Sequence, residues 1–256
     1  MPRHSRDNMP YLDRLRLNFG NEHLRHVFRD EAENNGDHAA ELINSNIRFP
    51  SLFLLRPEIS KTSLYHSLNG RNKKAMDISD EILTGTIDKA DHRQDEDRET
   101  LLWMLHSGYQ DDGMDEQYDQ VLDNAALLLT NIHKERTCLK PIVEIMFRRN
   151  QKGFYTYDLI WAFFEASQPG DLLLIAEKLR SHHPKDVELA RQLLNFVPCL
   201  QTETNPLKQY KCCTQWLRHN RHRLYYTGET NQQQSNPIRY ALAGPAGGAD
   251  GGEAGD

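Results

Sequence analysis

The stretch from Asp115 to Arg136 reads DEQYDQVLDNAALLLTNIHKER, and its spacing decides the fold class. Val121, Ala125, Leu128, Leu129 and Ile132 stand at i, i+4, i+7, i+8 and i+11, which places them in one stripe along a helix. Asp115 and Glu116 open the segment, at the end of a helix dipole that favours negative charge. His133, Lys134 and Arg136 close it, where positive charge is favoured.

The same pattern recurs on either side. Residues 95–107 begin with acids, carry Leu101, Leu102 and Leu105 with Trp103 and Met104 beside them, and meet Gly108 as a stop. Residues 139–150 and 155–167 form the next pair, divided by Lys152 and Gly153. Leu159 to Phe164 is apolar on all sides, so that helix is expected to be the most buried. Residues 170–182 and 184–197 follow, with Pro184 in a first turn, where proline is tolerated, and Pro198 ending the run. Toward the N-terminus, helices are expected at 13–19, 23–34 and 37–45, with a turn at Asn34-Asn35-Gly36. Residues 47–57 are apolar but contain Pro50 and Pro57, and read as an ordered, partly buried connector. A helical pattern resumes at 60–70 and 73–88.

These segments predict an all-α fold: an irregular array of antiparallel helical hairpins, either α-solenoid-like or a helical bundle. The expected organisation is a flexible N-terminus at 1–10, an N-terminal helical segment and connector at 11–58, a helical-hairpin domain at 59–228 and a tail at 229–256. In that tail 231–236 is rich in Gln and Asn, and 244–256 is mostly Gly, Ala and acids. Disorder is expected there, because such a segment has too little to bury to offset its ordering entropy. Leu101, Ile142 and Leu173 hold similar places in the first helices of three successive pairs, and Pro184-Lys185-Asp186-Val187 opens a second helix. In this the chain resembles the α-solenoid group of HEAT and armadillo repeats over roughly its middle two-fifths. The resemblance implies a helical scaffold that holds a partner.

Composition narrows the classes. At 256 residues the chain is long enough to build a core without covalent staples. A formal net charge of -6 argues against a nucleic-acid footprint over the whole protein. The longest apolar runs fall short of a membrane span, and the first residues lack the apolar stretch of a signal peptide. The cysteines are Cys138, Cys199, Cys212 and Cys213, and none makes a CxxC pair. That pattern indicates neither a disulfide framework nor a zinc knuckle, and reads as a reduced, cytoplasmic protein.

No catalytic, cofactor or metal signature stands out. Gly108 to Gly113 has the glycine spacing of a phosphate loop, but Met114 and Asp115 occupy the positions of lysine and Ser/Thr. Asp111, Asp112, Asp115, Glu116 and Asp119 read as acids around a helix start rather than a calcium loop. One stretch does differ from the rest. Between Glu203 and Glu229 there is no acid, while Lys208, Lys211, Arg218, Arg221 and Arg223 are basic and Tyr210, Trp216, Tyr225 and Tyr226 lie among them. Within it, residues 206–220 form an expected helix whose Tyr210, Cys213, Trp216 and Leu217 close the end of a core while the cations face outward.

The functional expectation is a non-enzymatic scaffold or adaptor for a protein or peptide. Its candidate partner-binding residues are Lys208, Lys211, Arg218, Arg221, Arg223, Tyr225 and Tyr226. A nucleic-acid or phosphate-binding module on the same stretch is the alternative. An enzyme with a cleft near His23, His26 and Glu31 is a further one, which convergent buried His and carboxylate groups would favour. Oligomeric state stays open.

Overall fold

The computed structural model describes residues 9–88, 90–227 and 240–243. The first eight helices in chain order are α1 (Tyr11–Phe19), α2 (Asn21–Asn34), α3 (Gly36–Asn44), α4 (Phe49–Ser60), α5 (Gly70–Thr84), α6 (Asp95–Gly108), α7 (Glu116–Asn131) and α8 (Leu139–Lys152). They are followed by α9 (Tyr157–Ala166), α10 (Leu172–Ala176), α11 (Pro184–Leu193), α12 (Cys199–Thr202) and α13 (Pro206–Asn220), and then by a hairpin of β1 (Leu224–Tyr226) and β2 (Tyr240–Leu242). The fold is all-α. The chain divides into two compact units, residues 1–145 and 146–256.

In the first unit Val121, Ala125, Leu128 and Leu129 of the α7 stripe are buried, with Leu122 and Ala126 beside them, while Ile132, just past the helix end, is half-buried. Asp115 caps the helix, its carboxylate accepting the Tyr118 N–H at 2.8 Å. The expected connector is in fact a helix. Along α4, Phe49, Leu52, Phe53, Leu54, Leu55 and Ile59 are buried on every side, and α2, α5 and α6 pack around it. Pro50 lies in the tolerated first turn, but Pro57 sits inside the helix and removes one backbone bond at a cost of about 3 kcal/mol. Six buried apolar side chains, each contributing about 1.5–3 kcal/mol, outweigh that. This is why two prolines do not keep the segment extended.

A polar network fastens α1 to the start of α4. Ser51 donates to Asp13 at 2.6 Å, the Arg48 N–H donates to the other Asp13 oxygen at 3.0 Å, and Arg16 donates to Ser51 at 3.2 Å and to Asp111 at 2.8 Å. Burial pushes the Asp13 carboxyl up, and the bonds from Ser51 and Arg48 pull against it. Asp111 and Asp115 are thus structural, in the ion pair and the cap; Asp119 accepts the Gly113 N–H at 2.7 Å. The acid cluster is accounted for by local structure.

Gly108 ends α6, but not through the left-handed backbone of a glycine cap: its φ is −108°. The buried Tyr118 ring stacks on Phe49 at 5.6 Å, and its hydroxyl donates to the Gly108 carbonyl at 2.9 Å. A Cβ on Gly108 would meet that hydroxyl, so glycine is needed for close approach. Gly108→Ala should cost about 1–3 kcal/mol in chemical denaturation. Adding Tyr118→Phe to it should cost less than the same change in the wild type, because removing the hydroxyl clears the space. Equal costs in both backgrounds would refute the clash.

In the second unit α9 is buried along the whole of Leu159 to Phe164, as its composition demands. The third helix pair is shorter than its pattern. Only α10 and a 3-10 turn at Glu177–Arg180 form before Ser181, and His183 is extended (φ −92°, ψ 118°) because Pro184 disfavours helical backbone before it.

Within the expected tail, residues 240–243 are described and include the strand β2. β2 pairs antiparallel with β1, Leu224 opposite Leu242 and Tyr226 opposite Tyr240. Tyr240 is 2% exposed, donates its hydroxyl to the Ser167 carbonyl at 2.6 Å, and lies 6.0–6.3 Å from the rings of Phe164, Phe196 and Tyr226. One large aromatic side chain with a core socket supplies burial that the composition of the tail conceals. Residues 1–8, 228–239 and 244–256, which include most of the N-terminus and tail expectations, lie outside the described residues.

Candidate binding face on the last helix

Helix α13 starts where Asn205 accepts the Lys208 N–H at 3.2 Å and Pro206 occupies the first turn. Gln209, Cys213, Thr214, Leu217 and Asn220 are buried along one side. At 3.6 residues per turn, Lys208, Lys211, Gln215, Arg218 and His219 fall within about 100° of arc on the opposite side. All five are exposed. Lys208, Lys211 and Arg218 make no ion pair among the described residues. Glu203 lies near Lys208, its carboxyl held down by the N–H groups of Asn205 and Thr204 with help from that lysine. This face is therefore a short basic stripe with one acid at its N-terminal edge.

Of the seven sequence candidates, the structure gathers three on this stripe, engages Arg221, Arg223 and Tyr226 elsewhere, and leaves Tyr225 exposed. Arg221 lies across Gly170, its guanidinium carbon 3.3 Å from where a side chain would begin there. Arg223 donates to the Ala243 carbonyl at 2.9 Å, and its own carbonyl accepts the Ala243 N–H at 2.8 Å, so it clamps the hairpin. Tyr226 packs on Tyr240. Tyr225 is 51% exposed on the hairpin's outer side. Tyr210 is not a simple core residue either: its hydroxyl donates to Glu177 at 2.8 Å and Arg180 stands over its ring at 5.2 Å.

Beside the stripe runs a groove of about 470 Å³ lined by Cys199, Cys212, Gln215, Trp216, His219 and Asn220. Trp216 is half-buried in its wall and touches Phe196 at 6.3 Å between ring centres, rather than closing the core. Cys199 and Cys212 are joined in a disulfide, with Cα atoms 6.5 Å apart. This corrects the reading of four unpaired cysteines. The pairing depends on α12 folding back along α13, which spacing alone does not reveal. Cys213, next in sequence to Cys212, points the other way into the core. The helical spacing of Lys208, Cys212, Gln215 and His219 is the one signal that places the groove beside the basic stripe.

The cleft expected near His23 has a different lining. A hollow of about 240 Å³ is bounded by Tyr11, Leu12, Val27, Phe28, Glu31, His38 and Leu42. Glu31 faces it, paired with His38 at 2.7 Å, but both side chains are substantially exposed. His23 instead packs against Phe19 at 5.0 Å, and His26 pairs with Asp30 at 3.0 Å on the surface. A more buried histidine is His92, which follows Asp91 in the reverse of the His-Asp order of a helical metallophosphohydrolase site. Its Nε2 is 2.8 Å from Glu81, and its Nδ1 is 3.8 Å from Asp97, whose carboxylate lies 2.8 Å from Lys74. This four-group cluster joins α5 to the segment before α6 and lines neither hollow described above.

Among the described residues no group of three or more His, Cys, Asp or Glu is arranged to hold a metal ion, and no helix is long and apolar enough to cross a membrane. No family model, curated protein or solved structure shows a significant match to this chain.

Proposed function

We propose that this protein is a helical binding module that takes an acidic peptide segment of a partner protein along the exposed face of α13, with Trp216 and its groove receiving an apolar side chain next to the acids. The observation that carries this reading is the coincidence of Lys208, Lys211 and Arg218 on one face with a groove that exposes an indole. Lys208 and Arg218 are ten positions apart, about 15 Å along the axis, which matches about five residues of extended peptide. Tryptophan and arginine are the side chains most often responsible for interface affinity. Nucleic acid fits less well. Three permanent cations neutralise about three phosphates, a small footprint on a chain of net charge -6.

The test is fluorescence anisotropy with labelled hexaglutamate and, separately, labelled oligothymidylate at physiological salt. Hexaglutamate should bind, and reversing Lys208, Lys211 and Arg218 to glutamate should weaken it by about tenfold or more. Reversal of Lys61, Lys73 and Arg93 in the first unit should leave it unchanged. Tighter binding of oligothymidylate than of hexaglutamate, lost in the same triple variant, would replace the peptide reading with the nucleic-acid one. Equal affinity of wild type and triple variant for both probes would remove α13 from consideration.

A further inference from the structure

We propose that Cys199 and Cys212 form a reversible disulfide that sets the shape of the groove beside Trp216, and so couples binding on α13 to the redox state of the surroundings. The functional meaning rests on the peptide-binding reading above; the thiol chemistry does not.

The four cysteines separate into two kinds. Cys138 and Cys213 are fully buried, and burial pushes both thiols up to about 12, with the Glu135 charge adding to the effect at Cys138. Such thiols stay protonated and inert. Cys199 and Cys212 are only half-buried and line the groove. Their Cα separation of 6.5 Å falls within the range a disulfide spans, so the bond forms without moving the backbone.

What the bond holds is small. α12 is a single turn whose one buried residue is Leu200. Its side-chain ties include Arg191 to the Leu200 carbonyl at 3.5 Å and Gln201 to the Asn195 carbonyl at 3.2 Å, and directly after it Gln209 of α13 donates to the Glu203 carbonyl at 2.5 Å. The same turn contributes to two surface hollows. Cys199 lines the groove on the α13 side, while Leu200 and Gln201 line a second hollow of about 260 Å³ with Glu188, Arg191, Gln192 and Asn195. Opening the bond removes the covalent tie between this wall and α13. The groove at Trp216 is then free to widen or collapse.

The oxidant is a low-molecular-weight disulfide of the glutathione class, an anionic peptide suited to the cations Lys208 and Lys211 that flank Cys212. One cysteine thiolate attacks a sulfur of that disulfide and expels one small thiol, leaving a mixed disulfide on the protein. The second cysteine thiolate attacks the protein-side sulfur, forms the Cys199–Cys212 bond and expels the second small thiol. Two electrons pass from the protein to the oxidant, and the two thiol protons leave with the products. Excess reduced glutathione runs the same steps backward.

The experiment equilibrates the full chain in graded mixtures of reduced and oxidised glutathione, quenches with acid, alkylates free thiols and counts them by mass. The same samples are assayed for Trp216 emission, against a Trp216→Phe control, and for hexaglutamate affinity. The expected result is a single two-thiol transition across the mixtures, with a parallel change in Trp216 emission. Affinity should differ by about fivefold or more between the end states, and that difference should vanish in Cys199→Ser/Cys212→Ser. A bond that survives excess reduced glutathione, or never forms in excess oxidised glutathione, would overturn the proposal. So would a two-thiol transition that changes neither emission nor affinity. If emission follows the thiols while neither state binds hexaglutamate, the redox device stands and the peptide-binding reading fails.

Discussion

Replacing Tyr240 with alanine should destabilise the second unit by about 3–5 kcal/mol, the usual cost of deleting a large buried aromatic side chain. The ring packs against Phe164 on α9, Phe196 after α11 and Tyr226 on β1, and its hydroxyl donates to the Ser167 carbonyl at the end of α9. Its loss therefore empties a socket shared by three segments. Tyr240→Phe should cost only about 1 kcal/mol, the net value of one hydrogen bond. Amide exchange in α9 and α13 is the appropriate readout, because a chain of two compact units need not unfold in one step. An alanine variant whose protection in α9 and α13 stays within 1 kcal/mol of wild type would show that β2 is not part of the core.

The second large effect belongs to Glu135, between α7 and α8. One carboxylate oxygen accepts the N–H groups of Arg136 and Thr137 and the Thr137 hydroxyl, each at 2.9 Å; the other accepts Arg98 of α6 at 2.8 Å. Burial pushes this carboxyl up, but the bonds from Thr137 and Arg98 outweigh it and hold the group at about 2, against an ordinary 4.5. A carboxyl depressed by folding contributes stability that is complete above its unfolded value and lost as pH falls. The window here runs from about 4.5 down to about 2. Glu135→Gln should cost about 2–3 kcal/mol at neutral pH, discounted because Arg98 is partly in water, and the gap to wild type should narrow below pH 4.5 and close only near pH 2. Asp13, raised by burial, has the opposite sign: its contribution is complete below 3.8 and is lost as pH rises through its raised folded value. Taking the difference between wild type and the Glu135 variant cancels it. A gap that persists unchanged in acid would assign the cost to packing rather than charge.

The helices that were legible in the sequence are those whose pattern is local. Residues 206–220 were read with the bounds α13 has, because Asn205, Pro206 and the spacing of Cys213 and Leu217 all act within a few turns. Helix α4 was hidden by Pro57, since only the enclosure supplied by α2, α5 and α6 makes an interior proline tolerable. Tyr240 was hidden by its neighbours, a single aromatic residue between Gln/Asn-rich and glycine-rich stretches. For the candidate site, the charge of the face could be read but not the groove. Lys208, Lys211 and Arg218 share a face by spacing alone, whereas Arg221, Arg223 and Tyr226 were diverted by Gly170, Ala243 and Tyr240, all distant in sequence. The groove needed Cys199 to find Cys212, and that is a fact of tertiary structure.

The enclosure of α4 also has a consequence for how the chain is made. The apolar run from Phe49 to Leu55 leaves the ribosome before α5 and α6, which cover it, and before α7, which completes the stack on Phe49 through Tyr118. At about 5–20 residues per second, the wait until Asn131 has been added is roughly 4–15 s. During that interval the nascent segment presents Phe49, Leu52, Phe53, Leu54 and Leu55 to any other nascent chain. Pro50 lies at the second position of the run and Pro57 two residues past its end, and proline cannot donate to a β-ladder. The two residues that made this stretch look unlike a helix thus guard it from intermolecular sheet formation until its cover arrives.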